Sequence, residues 1–193
     1  MLVTKLTELT MHLQPGKTYR RSDLALFSKS IDRHLKELVR LGTLRKLRAG
    51  VYYYPKQSTF GEVPADDYQL IRTFLKDHRF LLTSLNAYNG LGLGTTQLYN
   101  KQMVYNHKRH GEFVFSGRTY DFRIKHHFPL HALNEEFLLV DLVNNINELA
   151  EDREALLTKV REKASSMNST RLKRAIHEFA NTKTKLFFLE ILK

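Results

Sequence analysis

One segment, Ser28–Tyr54, sets the architecture of the N-terminal region and reads SKSIDRHLKELVRLGTLRKLRAGVYYY. On a helical wheel, Leu35 and Leu38 lie within about 40° of Ile31, so the three side chains form one apolar stripe. Gly42 follows at a position where a helix would end, because glycine readily adopts the left-handed conformation of a C-terminal cap. The first half of the segment is therefore predicted to be an amphipathic helix.

The opposite side of this helix is basic. We define the basic face as Lys29, Arg33, Lys36 and Arg40, with Glu37 at its edge. A helix face that is only solvated usually carries both signs of charge. The pattern therefore indicates that one side docks on a core and the other faces a polyanion.

A β-rich run, residues 43–54, follows the helix and is interrupted by Ala49-Gly50, which is typical of a hairpin. Before it, leucines at helical spacing predict a first helix, Tyr19-Arg20-Arg21 a short extended segment, and Ser22 the cap of a helix over 23–27. Ser28 or Ser30 would cap the third helix, over about 29–41. The leucines of the first helix are Leu2, Leu6, Leu9 and Leu13. A helix, a short strand, two helices and a hairpin form the order of a winged helix-turn-helix.

Positive charge is concentrated in this region. The chain has 193 residues and a net charge of +11. Residues 1–56 contain twelve Lys/Arg and four Asp/Glu, residues 57–131 nine and six, and residues 132–193 ten and ten. The local charges are therefore +8, +3 and zero, and such a basic region attracts phosphate backbones.

Composition excludes several classes of protein. A hydrophobic content of 42% is enough for a packed core, and the absence of cysteine excludes disulfides and thiolate zinc sites. No apolar run approaches the roughly 18 residues of a membrane span, and residues 1–13 lack the features of a signal peptide. We predict a cytoplasmic protein that has no membrane partner.

The rest of the chain predicts a second domain of mixed type. Residues 57–65 contain Gly61 and Pro64 and are interpreted as a linker between a domain at 1–56 and one at 66–193. A helix is expected over 66–77, a short helix over 84–89 and a strand over 101–107. Two strands, 112–115 and 119–124, flank Ser116-Gly117, and four amphipathic helices follow from Leu133. The predicted fold class is α+β.

Ten residues are predicted to contact double-stranded DNA. The N-terminal half of a recognition helix touches base edges, so Lys29, Ser30 and Arg33 are the predicted base readers, with Arg33 first. The remaining residues are expected on phosphates or in the minor groove. They are Lys36 and Arg40 on the helix, Arg45, Lys46 and Arg48 on the hairpin, and Arg20 and Arg21 before the helices.

Two other patterns have plainer interpretations than a ligand site. Gly90-Leu91-Gly92-Leu93-Gly94 lacks the spacing of a dinucleotide fingerprint and follows no clear strand, so we expect a tight or flexible turn. Five histidines have no acidic residue at ligand spacing, and two of them flank Lys108-Arg109, which would repel a metal cation. They therefore indicate a polar surface with some phosphate affinity. They are His107, His110, His126, His127 and His131. We predict no metal and no cofactor.

No catalytic constellation follows from residue order. Asp66-Asp67 and Glu135-Glu136 lie at predicted helix starts, where the helix dipole accounts for them. We therefore predict that the protein is not an enzyme. A nuclease that holds its substrate with the winged helix remains an alternative, and so does a regulator whose second domain binds a partner protein.

Three segments resemble a known family. Tyr19-Arg20-Arg21-Ser22-Asp23-Leu24 and Arg48-Ala49-Gly50-Val51-Tyr52-Tyr53-Tyr54-Pro55 look like the start and the wing of AbiEi-type antitoxins, which belong to bacterial type IV abortive-infection toxin–antitoxin systems. The segment Leu85–Gln97 resembles the start of that family's second domain, and the strands over 113–124 also fit. The resemblance covers roughly residues 15–130.

The resemblance implies two activities. The winged helix would bind inverted repeats in the promoter of its own operon and repress it. The second domain would neutralise a toxin that resembles a nucleotidyltransferase, without requiring a stable complex. No catalytic residue is implied.

Overall fold

The computed structural model describes residues 5–130 and 133–192. The described residues form two compact units. Unit one contains residues 5–78 and 114–118, and unit two contains residues 79–113 and 119–192. Each unit has its own buried core.

Unit one contains four helices and five strands before residue 78. The helices are α1 (Lys5–Met11), α2 (Arg21–Leu24), α3 (Ile31–Arg40) and α4 (Asp67–Leu75), and the strands are β1 (Thr18–Arg20), β2 (Arg45–Arg48), β3 (Val51–Tyr53), β4 (Lys56–Ser58) and β5 (Gly61–Val63). Strands β1, β3 and β2 form one antiparallel sheet, and β4 pairs with β5. Up to β3, the elements occur in the predicted order.

The first three helices enclose a small leucine-rich core. Leu9 of α1, Leu24 of α2, and Ile31, Leu35 and Leu38 of α3 are all buried in it. The stripe predicted on α3 is therefore the face that packs inward. Leu2, which belongs to the predicted first helix, lies outside the described residues.

The second helix begins earlier than predicted. Its N-cap is Arg20, not Ser22, and it ends at Leu24, so the prediction of a helix over 23–27 was wrong. The reason is the sheet. Strand β1 pairs with β3, and the Arg21 backbone N–H donates to the Gly50 carbonyl at 2.9 Å, which fixes the start of the helix directly after β1.

The segment predicted as a linker has secondary structure of its own. It contains the β4–β5 hairpin, and α4 follows it within unit one. The Thr18 N–H on β1 donates to Gln69 Oε1 on α4 at 2.9 Å. The edge of unit one therefore does not coincide with the boundary expected at residue 56.

Unit one also includes the turn between strands β8 (Gly111–Phe115) and β9 (Arg118–Ile124). The Phe115 ring meets the Phe74 ring edge to face at 5.0 Å, and the Ser116 N–H donates to the Leu47 carbonyl at 3.1 Å. The turn at Ser116-Gly117 was predicted, and both residues have positive φ, as a tight hairpin turn requires.

Unit two combines a sheet with helices. The remaining strands are β6 (Phe80–Ser84) and β7 (Gln102–Asn106), with a 3₁₀ helix over Leu85–Leu91, and the sheet order is β6-β7-β9-β8. Strand β7 runs antiparallel to β6 and parallel to β9. Strand β6 was not predicted.

Four helices complete unit two, as expected from the apolar periodicity. They are α5 (Glu135–Asn144), α6 (Arg153–Ser166), α7 (Ser169–Phe179) and α8 (Thr182–Ile191). Asn134, Asp152, Asn168 and Asn181 each accept a hydrogen bond from a backbone N–H three residues ahead, so side-chain caps set the four N-termini.

A polar network lies inside the core of unit two. The buried Asp141 carboxylate accepts hydrogen bonds from Tyr88 Oη at 2.9 Å, Tyr105 Oη at 2.8 Å and Lys125 Nζ at 2.9 Å. Asn145 Nδ2 donates to both tyrosine hydroxyls. These partners satisfy a carboxylate whose burial would otherwise cost several kcal/mol. Burial, with the nearby Asp141 charge, raises the pKa of Tyr88 and of Tyr105 well above its ordinary value.

Within residues 5–130 and 133–192, no helix has both the length and the apolar character that crossing a bilayer demands.

Candidate nucleic-acid interface

Helix α3 has one buried and one exposed side. Ile31, Leu35 and Leu38 are at most 4% exposed, whereas Arg33 and Lys36 are exposed. The helix ends at Arg40 with Leu41 as its C-cap. Gly42, the predicted stop residue, follows with a φ of +76°, and its N–H donates to the Val39 carbonyl at 3.1 Å. The sequence pattern thus places the two charged side chains on the solvent side.

The start of α3 is fixed by a buried polar contact that sequence reasoning missed. His34 is 7% exposed, and its Nδ1 lies 2.8 Å from Ser28 Oγ. Ser28 Oγ also accepts from the Ser30 N–H at 3.2 Å. Ser30 occupies the N-cap position without a capping hydrogen bond from its side chain, and both Lys29 and Ser30 are exposed. The predicted base readers therefore lie together at the N-terminal end of α3.

Three cations in this region have no acidic neighbour. Among residues 5–130 and 133–192, no carboxylate oxygen lies within 4.0 Å of the charged groups of Lys29, Arg33 or Lys36. Their charge is not neutralised by the described part of the chain. The positive end of the α3 dipole adds to it, so this end of the helix attracts anions.

Arg40, the fourth residue of the basic face, has an acidic partner. Its Nε donates to Glu37 Oε2 at 3.0 Å and its Nη2 to Glu37 Oε1 at 2.6 Å. Hydrogen bonding from Arg40 lowers the pKa of Glu37. The charge of the last turn of α3 is therefore partly neutralised.

Arg21 also has an acidic partner on this surface. Its guanidinium holds both carboxylate oxygens of Asp32, in the first turn of α3. This hydrogen bonding lowers the pKa of Asp32. Arg20, at the end of β1, is only half-buried, so its side chain still reaches solvent.

The β2–β3 hairpin forms as predicted, with its turn at Ala49-Gly50. Lys46 is exposed. Arg45 is exposed as well, but its Nε donates to Glu62 Oε2 on β5 at 3.1 Å, and its Nη1 donates to the Gly42 carbonyl at 3.2 Å. An acid on the neighbouring hairpin therefore competes with any phosphate for Arg45.

Arg48, which was expected to contact phosphate or the minor groove, is half-buried and does not share this exposed surface. Its Cζ lies 5.6 Å from the centre of the Phe74 ring and 5.8 Å from that of Phe115. The β2–β3 register shifts between Lys46 and Arg48, which is where a bulge re-aims a side chain. Arg48 thus packs on aromatic faces inside unit one.

Two carboxylates of this surface, Asp32 and Glu62, were not predicted, and Glu37 was placed at the edge of the basic face without its ion pair to Arg40. The Glu37–Arg40 pair follows from i,i+3 spacing and could have been found in the sequence. The other two pairs join residues that are 11 and 17 positions apart, and no local pattern signals them.

The other predicted patterns lie in unit two. Strand β6 does precede the glycines at 90–94, contrary to expectation, but a 3₁₀ helix that includes Gly90 follows β6. Strand β7 comes after the glycines, where a dinucleotide fingerprint requires a helix. His107, His110, His126 and His127 are exposed, and His131 lies outside the described residues. Across the described ranges, no three His, Asp or Glu side chains converge in a way that could hold a metal ion.

Comparison with known proteins supports the fold. No family model and no curated protein matches the chain. A solved structure, the RV2827C protein from Mycobacterium tuberculosis, is similar, with a TM-score of 0.56 and 16% sequence identity over 97% of this chain and 74% of that chain. At this identity the similarity shows a shared fold, and the α+β class expected from the sequence is confirmed.

Proposed function

We propose that residues of unit one form a winged helix-turn-helix that binds double-stranded DNA and represses the promoter of its own operon. The observation that carries the proposal is the set of three cations at the exposed side of α3, Lys29, Arg33 and Lys36, without acidic neighbours in the described chain. Lys29 and Arg33 lie at the N-terminal end of α3 and Lys36 lies about one turn further along, and cations placed in this way suit a phosphate backbone.

The position of α3 supports the same proposal. Its apolar side is used in the core, so only its basic side is available to a ligand. In winged helices such a helix enters the major groove and the hairpin contacts the flanking backbone. Arg33 is exposed and lies in the first turn of α3, and its guanidinium can bond two acceptors of one guanine.

The second part of the proposal concerns unit two. We propose that it carries antitoxin activity against a nucleotidyltransferase-like toxin in the bacterial cytoplasm, as the resemblance to AbiEi-type antitoxins implies. Unit two has its own core of more than a dozen buried apolar residues, which supports an activity separate from that of unit one.

DNA binding is tested by fluorescence anisotropy with a duplex from the promoter upstream of the gene and a scrambled duplex of equal length. The wild-type protein should bind the promoter duplex more tightly than the scrambled one. Replacing Lys29, Arg33 and Lys36 with alanine should abolish this preference and weaken binding to both duplexes. The matched control replaces three exposed cations elsewhere, Lys5, Arg171 and Lys183, and removes the same charge. Equal effects of the two triple variants would show only a general charge effect and would refute a specific interface.

Toxin neutralisation is tested by co-expressing the full chain with the product of the neighbouring gene. The wild-type protein should restore growth, and so should the triple variant of Lys29, Arg33 and Lys36, because the two activities are assigned to different units. If a growth-inhibiting neighbour is unaffected by the wild-type protein, the antitoxin part is wrong and the DNA-binding part stands alone.

A further inference from the structure

An apolar groove runs between the last two helices of unit two. It has a volume of about 380 Å³, and its apolar lining is Ile176 from α7, Phe188 and Leu189 from α8, and Leu192 just after α8. Only two residues, Ala180 and Asn181, separate the two helices, and both helices contribute side chains to the groove. The lining residues span 173–177 on α7, about one helical turn, and 185–192 on and just after α8, about two turns.

The groove leaves apolar surface in water. Leu189 is 61% exposed, although Phe188 beside it is fully buried in the core. Leu186, also on α8, is 59% exposed but does not line the groove. Two leucines of one helix are thus about equally exposed, and only Leu189 lines this groove.

The rim of the groove is basic. Its charged or titratable lining residues are Lys173 and His177 from α7 and Lys185 from α8, with no acidic residue among them. The acidic residues of the same two helices, Glu178 and Glu190, do not line the groove, and Glu178 accepts a hydrogen bond from Arg174 Nε at 2.9 Å.

We propose that this groove binds an amphipathic helix of a partner protein whose apolar face is flanked by acidic residues. Apolar anchors at helical spacing would fill the groove, and the flanking carboxylates would pair with Lys173 and Lys185. A second copy of this chain is a poor occupant of the groove, because it would bring the same basic rim against itself. Helix binding in this groove would be independent of DNA binding by unit one.

The test uses the full chain and two fluorescein-labelled helical peptides. Both peptides have leucine at helical spacing. One has glutamate on the flanks of the apolar face, and the other has lysine. In anisotropy titrations the glutamate peptide should bind saturably and at least about tenfold more tightly than the lysine peptide. Replacing Lys173 and Lys185 with glutamate should reverse this preference.

The two exposed leucines supply a matched control. Leu189→Asp should weaken binding of the glutamate peptide at least about tenfold, whereas Leu186→Asp, which introduces the same charge on the same helix, should leave it unchanged. Circular dichroism melts of both variants verify that the fold is retained.

Four results would overturn the proposal. The first is that neither peptide binds, the second that both bind equally, and the third that the two leucine variants weaken binding equally. In the fourth, sedimentation velocity shows a wild-type dimer that Leu189→Asp converts to a monomer, which would identify a second copy as the occupant.

Discussion

Arg21 holds Asp32 through two hydrogen bonds, from Nε to Oδ1 at 2.6 Å and from Nη2 to Oδ2 at 2.5 Å. The pair joins the start of α2 to the first turn of α3 and is exposed to solvent. Arg21, which is predicted to contact DNA, is therefore already paired with an exposed carboxylate, that of Asp32.

We expect Asp32→Asn to strengthen binding to any DNA sequence. The substitution removes a negative charge from the surface and releases Arg21 for a phosphate, so the log–log salt slope should steepen by about one unit. Anisotropy titrations at several salt concentrations measure the slope. Glu154→Gln, on an exposed position of α6, makes the same charge change elsewhere and should not alter it. Weaker binding by Asp32→Asn would mean that the ion pair helps to hold α3 in place for DNA.

Arg33→Ala should weaken binding to the promoter by about 1–3 kcal/mol and relax base preference at one position, because a bidentate contact to one base is lost. Quantitative gel shifts on the native site and on single-base variants measure both effects. Lys36→Ala, a phosphate contact in the same proposal, should weaken binding uniformly across these sites. An unchanged base preference in Arg33→Ala would remove this residue from the set of base readers.

On the hairpin, Arg45→Ala combined with Lys46→Ala should flatten the salt slope by about one to two units, because Lys46 is exposed whereas Glu62 competes with phosphate for Arg45. Arg48→Ala should act differently. Its guanidinium lies over Phe74 and Phe115, so its loss should lower the free energy of unfolding by about 0.5–2 kcal/mol and leave the slope unchanged. Urea denaturation and salt titrations of both variants separate the two effects. If Arg48→Ala flattens the slope, this side chain reaches DNA after all.

The polar network predicts loss of stability in alkali. The pKa of Tyr88 and of Tyr105 is raised in the folded state, so above about pH 10 the unfolded chain releases protons that the folded chain keeps. The free energy of unfolding should therefore fall as pH rises above that value. Urea denaturation between about pH 8 and 11, with tyrosinate absorbance as a second signal, follows this directly.

Tyr105→Phe should reduce that pH dependence, because one of the two groups no longer titrates. Tyr68→Phe, at an exposed tyrosine of unit one, serves as the control. An alkaline slope that is identical in wild type and Tyr105→Phe would show that the network does not cause it.

Fragments should reveal where unit one ends. A fragment of residues 1–56 lacks α4 and the β4–β5 hairpin, whereas a fragment of residues 1–78 retains both. Because Leu70, Ile71, Phe74 and Leu75 are buried, the longer fragment should melt at a higher temperature and bind DNA more tightly. Circular dichroism and anisotropy measure the two properties. Equal stability of the fragments would restore a domain boundary near residue 56.

Local sequence patterns were sufficient to predict much of the structure of unit one. The α3 stripe, the stop at Gly42 and the turn at Ala49-Gly50 depend on spacing and on backbone conformation, which a sequence displays directly. The helices of unit two followed from the same apolar periodicity.

Long-range contacts account for what was missed. Strand β6 reads Phe-Leu-Leu-Thr-Ser, a short apolar run without alternation, and only its pairing with β7 makes it a strand. Arg48 looked like its neighbours Arg45 and Lys46 because its aromatic partners are 26 and 67 residues away in the chain. Asp32 and Glu62, which pair with Arg21 and Arg45, are likewise distant from their partners along the sequence.

Unit one is built from two separated stretches of chain, and this has a consequence for synthesis on the ribosome. After residue 78 has been made, about 40 further residues must be added before Phe115 and Ser116 become available to Phe74 and Leu47. At about 5–20 residues per second, the nascent unit waits about 2–8 s with this part of its core open to solvent. Translation speed through the segment 79–118 thus sets how long a newly made chain is exposed to chaperones and proteases before unit one is complete.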